Sequence, residues 1–312
     1  MELSVIVPTC NERDELTACL DALARHAPEV ETVVVNGPST DGTSGLVRSR
    51  DDVAVLLDCS SRNINVARNA GLREASGDII ALLSPRYQIQ PGWTEAIVES
   101  LSEQADLVSG PVDLEETEDV HRGIHPRDGI RVIGGNLALT RQAVRALDGF
   151  DEYLMTDGAR DLGQRIAGQD LHVIWHPEMR VRAEEPPQLH RRQHRGGYEN
   201  AWHGSERTDW GALYRSMTYH VVKNRGVGFR PIGGILIAAL RDGYDAAKDV
   251  FHGSGSPSVW AANGVIVVRN VVRGGIDGWR ARRTDRTPAK NPYGLSQSST
   301  DIIEDRYGSD SS

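Results

Sequence analysis

From its first residues the chain alternates short β-branched runs with helix-length stretches. "LSVIVPT" leads into Glu12 to His26, "VETVVVN" into Thr43 to Arg50, "VAVLLD" into Asn63 to Ala75, and "DIIALLS" into Thr94 to Gln104. Runs apolar on both faces need cover on both faces, so the pattern predicts an α/β class with a doubly wound, mostly parallel sheet. Ligands in such sheets collect beyond the carboxyl ends of the strands. The residues just after each run, Pro8 to Glu12, Asn36 to Asp41, Asp58 to Arg62 and Ser84 to Arg86, are therefore the first candidates for a site.

The alternation resumes in "RVIGGNLALTRQAVRALDGFDE" and "DLGQRIAGQDLHVIWHPEMRVR", after a polar stretch, Asp113 to Gly129, that reads as a mobile loop. Beyond Glu184 the pattern becomes locally basic and then helical. At 312 residues the chain suits one α/β domain of about 200 to 250 residues with an appendage. The expected division is an α/β domain over 1–200, a helical amphipathic appendage over 201–283, and a polar disordered tail over 284–312.

Acidic residues outnumber basic ones, 44 to 35, for a formal charge of -9, which argues against a general electrostatic binder of nucleic acid. Lysine occurs only at Lys223, Lys248 and Lys290. An acidic, arginine-rich surface suits a high-salt cytoplasm, and a GC-rich genome would produce the same bias. Cys10, Cys19 and Cys59 show no pairing or metal-ligand spacing, as expected in a reduced cytoplasm. Because the opening apolar run is only strand-length, no signal peptide is expected. No run reaches the roughly 18 apolar residues of a membrane-spanning helix.

At the strand ends, Thr9, Asn11 and Glu12 offer hydroxyl, amide and carboxylate groups to a base or ribose. Asn11 serves equally well as a helix cap. Ser39, Thr40 and Asp41 in "NGPSTDGT" have the chemistry of a self-bonded turn. Asn36, at the end of the second run, carries an amide that both donates and accepts.

The order of the motifs resembles glycosyltransferase family 2 and its GT-A fold. "VIVPTCNE" stands for the family's opening strand, and "VVVNGPSTDGT" for its acidic strand and turn. Ala67, Arg68, Asn69, Ala70 and Gly71 match "ARNxG"; "PGW" falls at Pro91 to Trp93, "GGN" at Gly134 to Asn136, and "DGFDE" at Asp148 to Glu152. The resemblance covers Leu3 to about Arg182. It implies a nucleotide sugar held by Pro8, Thr9, Glu12, Asn36, Arg68 and Asn136. For Arg68 a surface ion pair is the competing reading.

The resemblance also implies an Asp-x-Asp type motif after the fourth strand, whose carboxylates hold magnesium or manganese against the donor diphosphate. Ser84-Pro85-Arg86 stands there instead, and no carboxylate occurs between Asp78 and Glu95, which puts the metal in doubt. Arg86 either replaces the missing positive charge or points into solvent. Where the family places an acidic pair before a final "DL", this chain has Gly158 and Ala159 ahead of Asp161-Leu162. Asp157 is then the favoured catalytic base, with Asp161 a second candidate or a helix-orienting group.

"HRRQHR", with His190, Arg191, Arg192 and Arg195, is a candidate contact for the diphosphate or a phosphate-bearing acceptor, or else a solvated charged face. The stretches "RPIGGILIAALRDGYDAAKDVF" and "VWAANGVIVVRNVVRGGIDGWRARR" carry apolar stripes at helical spacing. Such helices lie in a bilayer interface or pack against protein. The combined expectation is an inverting transferase, haloarchaeal in character and acting in glycan assembly. It would move a sugar, a hexuronic acid being attractive, from a UDP donor to a dolichyl- or polyprenyl-linked acceptor at the inner membrane face. The rival is a nucleotide-sugar-binding or scaffold relative without catalysis.

Overall fold

The first β-branched run forms β1, Leu3–Thr9, buried along its whole length. Its side chains alternate: Val5 and Val7 enter an apolar cluster with Leu16 and Leu20 on one face, while Ile6 joins Ala67 and Ala70 on the other. The computed structural model describes residues 1–102, 105–114, 117–121, 134–155, 158–183, 209–252, 256–284, 291–297 and 302–306. The predicted alternation follows as α1 (Arg13–His26), β2 (Glu31–Asn36), α2 (Thr43–Arg48), β3 (Val55–Cys59), α3 (Ile64–Glu74) and β4 (Ile79–Leu83). Each fully buried Leu, Ile or Val between these layers contributes about 1.5–3 kcal/mol. The two-sided core therefore holds the strand ends in fixed register.

Among the described residues, four further strands complete the central sheet. After β5 (Tyr87–Ile89) and α4 (Trp93–Ser102) come β6 (Leu107–Ser109), β7 (Val112–Leu114), β8 (Thr117–His121), β9 (Asn136–Thr140), α5 (Arg141–Leu147), α6 (Gly158–Ala167), β10 (Val173–Trp175) and β11 (Val181–Ala183). The central sheet runs β10-β6-β9-β4-β1-β2-β3, with a last strand β12 (Ile302–Arg306) on β3. β1 to β4 pair parallel; β9 is antiparallel to both β4 and β6. A small second sheet, β5-β11-β7-β8, covers one end.

Two expectations change here. Within the polar stretch read as a loop, β7 and β8 pair antiparallel, because backbone bonding in the small sheet supplies what the side-chain pattern does not advertise. Within the stretch expected to be a disordered tail, β12 pairs antiparallel with β3 from Ile302↔Cys59 to Arg306↔Val55, which satisfies the open edge of β3. Just before it, the Leu295 N–H donates to the Asp148 carbonyl at 2.9 Å, and the Asp148 carboxylate accepts from Ser296.

Among the described residues the appendage comprises three helices, α7 (Trp210–Arg225), α8 (Phe229–Phe251) and α9 (Pro257–Thr284). Asp209 caps α7 through the Ala212 N–H at 3.0 Å. α7 and α9 run parallel in close contact: a Cβ at Gly274 would strike the Arg215 carbonyl, and one at Gly278 would lie 2.7 Å from that of Tyr219. Glycine at these two positions is what lets the helix backbones approach. Among the described residues no helix is long and apolar enough to cross a membrane.

Candidate active site

The parallel register sets Thr9 opposite Asn36, and Asn36 opposite Asp58, in one row across the carboxyl ends of β1, β2 and β3. The Asn36 amide donates to Ser44 Oγ at 2.7 Å and Asp58 Oδ1 at 3.2 Å, and its Oδ1 accepts from Ser39 Oγ at 2.7 Å. Ser39 Oγ also accepts from the Asn11 N–H. Asn11 occupies the left-handed region at φ 54, where its Oδ1 receives the Thr40 N–H at 2.7 Å. Asp41 accepts from Thr43 and from the Arg13 N–H at the start of α1. These bonds, with burial opposing them, hold its carboxyl below the usual range. The turn reading of Ser39 to Asp41 is thus realised, and Asn36 shapes that turn from beneath. Buried Thr9 Oγ1 has no hydrogen-bond partner among the described residues. Pro8, the residue before it in β1, is also buried.

Arg86 turns inward from the end of β4. Its Nε donates to Glu12 Oε1 at 2.7 Å, with Glu12 almost closed to solvent and the arginine about one-third open. Burial pushes the Glu12 carboxyl up, and the Arg86 guanidinium counteracts part of that rise. The pair therefore has a fixed, partly desolvated cation at the ligand-facing rim. Divalent magnesium or manganese calls for several hard oxygen ligands. Here Ser84 Oγ accepts from the Arg86 N–H at 3.4 Å, Pro85 carries no oxygen ligand on its side chain and Arg86 is itself a cation, so these residues do not fit the ion. Among the described residues, no group of three His, Cys, Asp or Glu is placed to hold one.

Arg68 lies buried on α3, with Nη1 on Asn65 Oδ1 at 3.0 Å and the guanidinium 4.8 Å over the Phe150 ring. The start of α6 packs directly on this helix. A Cβ at Gly158 would overlap Asn65 Oδ1, and one at Gly134 would lie 2.7 Å from Ala159 Cβ. Close packing thus explains the small residues where the family resemblance implied acids. Asn136, at 0 % exposure, sits beneath the rim: it accepts from Trp93 Nε1 at 2.9 Å and donates to the Gly110 and Met179 carbonyls, joining the two sheets.

Asp161 is likewise at 0 % exposure. It accepts from Arg165 Nε at 2.8 Å and Asn224 Nδ2 at 2.8 Å, and Lys223 Nζ lies 3.4 Å away. Burial alone would raise its pKa, but Lys223, Arg165 and His220 together hold it well below the carboxylate range. Lys223 also bonds Asp151 Oδ2 at 2.5 Å, where Tyr219 Oη donates at 2.9 Å. This buried network fastens α7 to the turn after α5. It was missed from sequence although one signal was visible, a lone lysine within "YHVVKNR" in a chain nearly free of lysine. Asp157 and the cluster His190, Arg191, Arg192 and Arg195 lie outside the described residues.

This architecture is the GT-A fold. The protein superposes on the mannosyltransferase PcManGT from Pyrobaculum calidifontis, solved with GDP-Man and Mn2+. That match covers 89 % of this chain and 87 % of that one, with a TM-score of 0.51 and 19 % identity. It also superposes on residues 1–349 of S. aureus TarS, over 92 % and 91 % of the two chains, with a TM-score of 0.53 and 15 % identity. Residues 4–178 match the glycosyl transferase family 2 model, and the chain belongs to that family.

Relatives by sequence include the glycosyltransferase AglE of Haloferax volcanii, 31 % identical over 120 residues, 36 % of this chain and 40 % of AglE. The dolichol-phosphate mannosyltransferase of Pyrococcus furiosus is 29 % identical over 115 residues, 35 % of this chain and 33 % of that protein. The matched region thus spans well under half the length of these relatives.

Proposed function

We propose that the protein transfers a sugar from a nucleoside diphosphate donor, with uridine as the base, to a lipid-linked glycan, inverting the anomeric carbon in one displacement. The observation that carries this reading is the Arg86 guanidinium, held by Glu12 at the end of β4 beside the Thr9–Asn36–Asp58 row. In the step envisaged, the acceptor hydroxyl oxygen bonds to the anomeric carbon as the carbon–oxygen bond to the diphosphate breaks. The bonding pair leaves on the phosphate oxygen, and the hydroxyl proton passes to a carboxylate. Arg86 stabilises the charge on the leaving diphosphate through preorganised donors, and Arg68 and Asn36 shape the nucleotide pocket.

We assign the base to Asp157, which directly precedes α6. Asp161 orients that helix through Arg165. His190, Arg191, Arg192 and Arg195 are assigned to the diphosphate or to a phosphate on the acceptor. A hexuronic acid donor suits a site rich in arginine.

The lipid-linked acceptor and a peripheral position on the inner membrane face are supported by the surface of the appendage. Ile237, Leu240 and Phe251 of α8 are 68 %, 74 % and 91 % exposed, and Val265 and Val268 of α9 extend the apolar surface. Trp260 and Trp279 flank it, with arginines close behind, as in helices that lie within a bilayer interface. Buried, unpaired Cys10, Cys19 and Cys59 accord with a reducing compartment.

The decisive experiment is a screen of labelled nucleotide sugars against membranes containing the native lipid acceptor, with and without chelator. Transfer that survives chelator and falls about 100-fold or more in Arg86→Ala is the expected result. Undiminished transfer in Arg86→Ala removes the phosphate role; donor binding without turnover removes catalysis.

A further inference from the structure

A cavity of about 400 Å³ opens beside the rim, lined by Glu152, Tyr153, Met155, Arg215, Tyr293 and Gln297. Three distant segments meet to build it: the turn after "DGF", the second turn of α7, and the stretch that precedes β12. The Glu152 N–H donates to the Tyr293 carbonyl at 2.9 Å, and Asn63, the cap of α3, donates to the Glu152 carbonyl at 2.7 Å. Because α3 starts at the carboxyl end of β3, the cavity lies on the α3 flank of the same rim as Arg86.

Its polar groups are held in place before any ligand arrives. The Tyr153 ring stacks on Tyr219 at 4.0 Å and meets the Tyr293 ring at 5.4 Å. Arg215 lies 4.3 Å over Tyr153 and donates from Nε to its hydroxyl at 2.8 Å. That leaves the terminal N–H fork of Arg215 uncommitted among the described residues. Glu152 Oε1 accepts from Asn69 at 2.9 Å, while Oε2 has no hydrogen bond among the described residues. The role proposed above for the rim uses none of these groups.

The exposed ring of Tyr293 suits the axial C–H groups of a sugar ring, and a carboxylate, a guanidinium and an amide suit its adjacent hydroxyls. An apolar ligand would strand the two charges, and a nucleotide phosphate would meet the Glu152 carboxylate. We propose that this cavity binds a pyranose unit of the acceptor glycan, apart from the unit that receives the new sugar. Its role as an acceptor subsite rests on the reading that the acceptor is a glycan; ring binding itself does not.

The test is saturation-transfer NMR on the full chain with methyl glucoside, mannoside, galactoside and glucuronide, alongside a separate titration with UDP. At least one pyranoside should show contact from one ring face. Tyr293→Ala and Gln297→Ala, both at exposed positions, should weaken it, the tyrosine change by about tenfold, with UDP affinity unchanged. No pyranoside signal, or equal signal in wild type and both variants, overturns the proposal. UDP binding without any pyranoside signal removes the cavity's role alone. Pyranoside binding lost in Tyr293→Ala, with no UDP binding to wild type, keeps the cavity and removes the nucleotide donor.

Discussion

Arg86 and Asp161 stand in opposite electrostatic settings. The first is a partly open cation facing the rim; the second is a closed anion surrounded by Lys223, Arg165, His220 and Asn224. Removing one member of a buried charge cluster leaves its partners uncompensated, so Asp161→Asn should cost about 3–5 kcal/mol of stability at neutral pH. Because the folded pKa of Asp161 lies below its ordinary value of 3.8, that contribution is complete above about pH 4 and fades as pH falls toward the folded value. Urea unfolding of both proteins across that range should show the gap closing on the acid side. A gap that stayed constant would mean the carboxylate charge is not what stabilises the fold. Arg86, Glu12 and Asn36 were legible as rim residues because each ends a strand or follows one. Glu152, Arg215 and Tyr293 were not, since only the folded chain brings such distant positions together.

At the level of elements, the strand-helix alternation was readable to within a residue or two because buried β-branched runs leave a strong pattern. β7 and β8 escaped because "VDLEETEDVH" lacks that pattern and depends on pairing within the small sheet. The α7/α9 contact also escaped, since it depends on glycines rather than on a stripe of large apolar residues. Gly274→Val would drive a side chain into the Arg215 carbonyl and should cost about 1–3 kcal/mol. The expected readout is a lower thermal midpoint together with weaker pyranoside binding, because Arg215 would move with α7. An unchanged midpoint would show that the helices are not in the contact described.

Across the whole molecule, net negative charge coexists with an exposed apolar surface on α8 and α9. If that surface meets a bilayer, Ile237→Glu with Leu240→Glu should abolish flotation of the full chain with phosphatidylglycerol vesicles while leaving UDP binding intact. Wild-type protein that never floats, or a double variant that floats equally well, would reassign the surface to protein contact. The helical character of the appendage was legible from its spacing, whereas the ordered "IIEDR" strand was not. Five residues with three charges acquire their conformation from β3 rather than from their own composition.

The placement of β12 has a bearing on biosynthesis. Its partner emerges from the ribosome early, and the covering strand follows only after all three appendage helices have been made. In the interval β3 offers a row of bare amides and carbonyls to any passing chain, so conditions that stall translation beyond α9 should raise the yield of insoluble, cross-paired nascent protein.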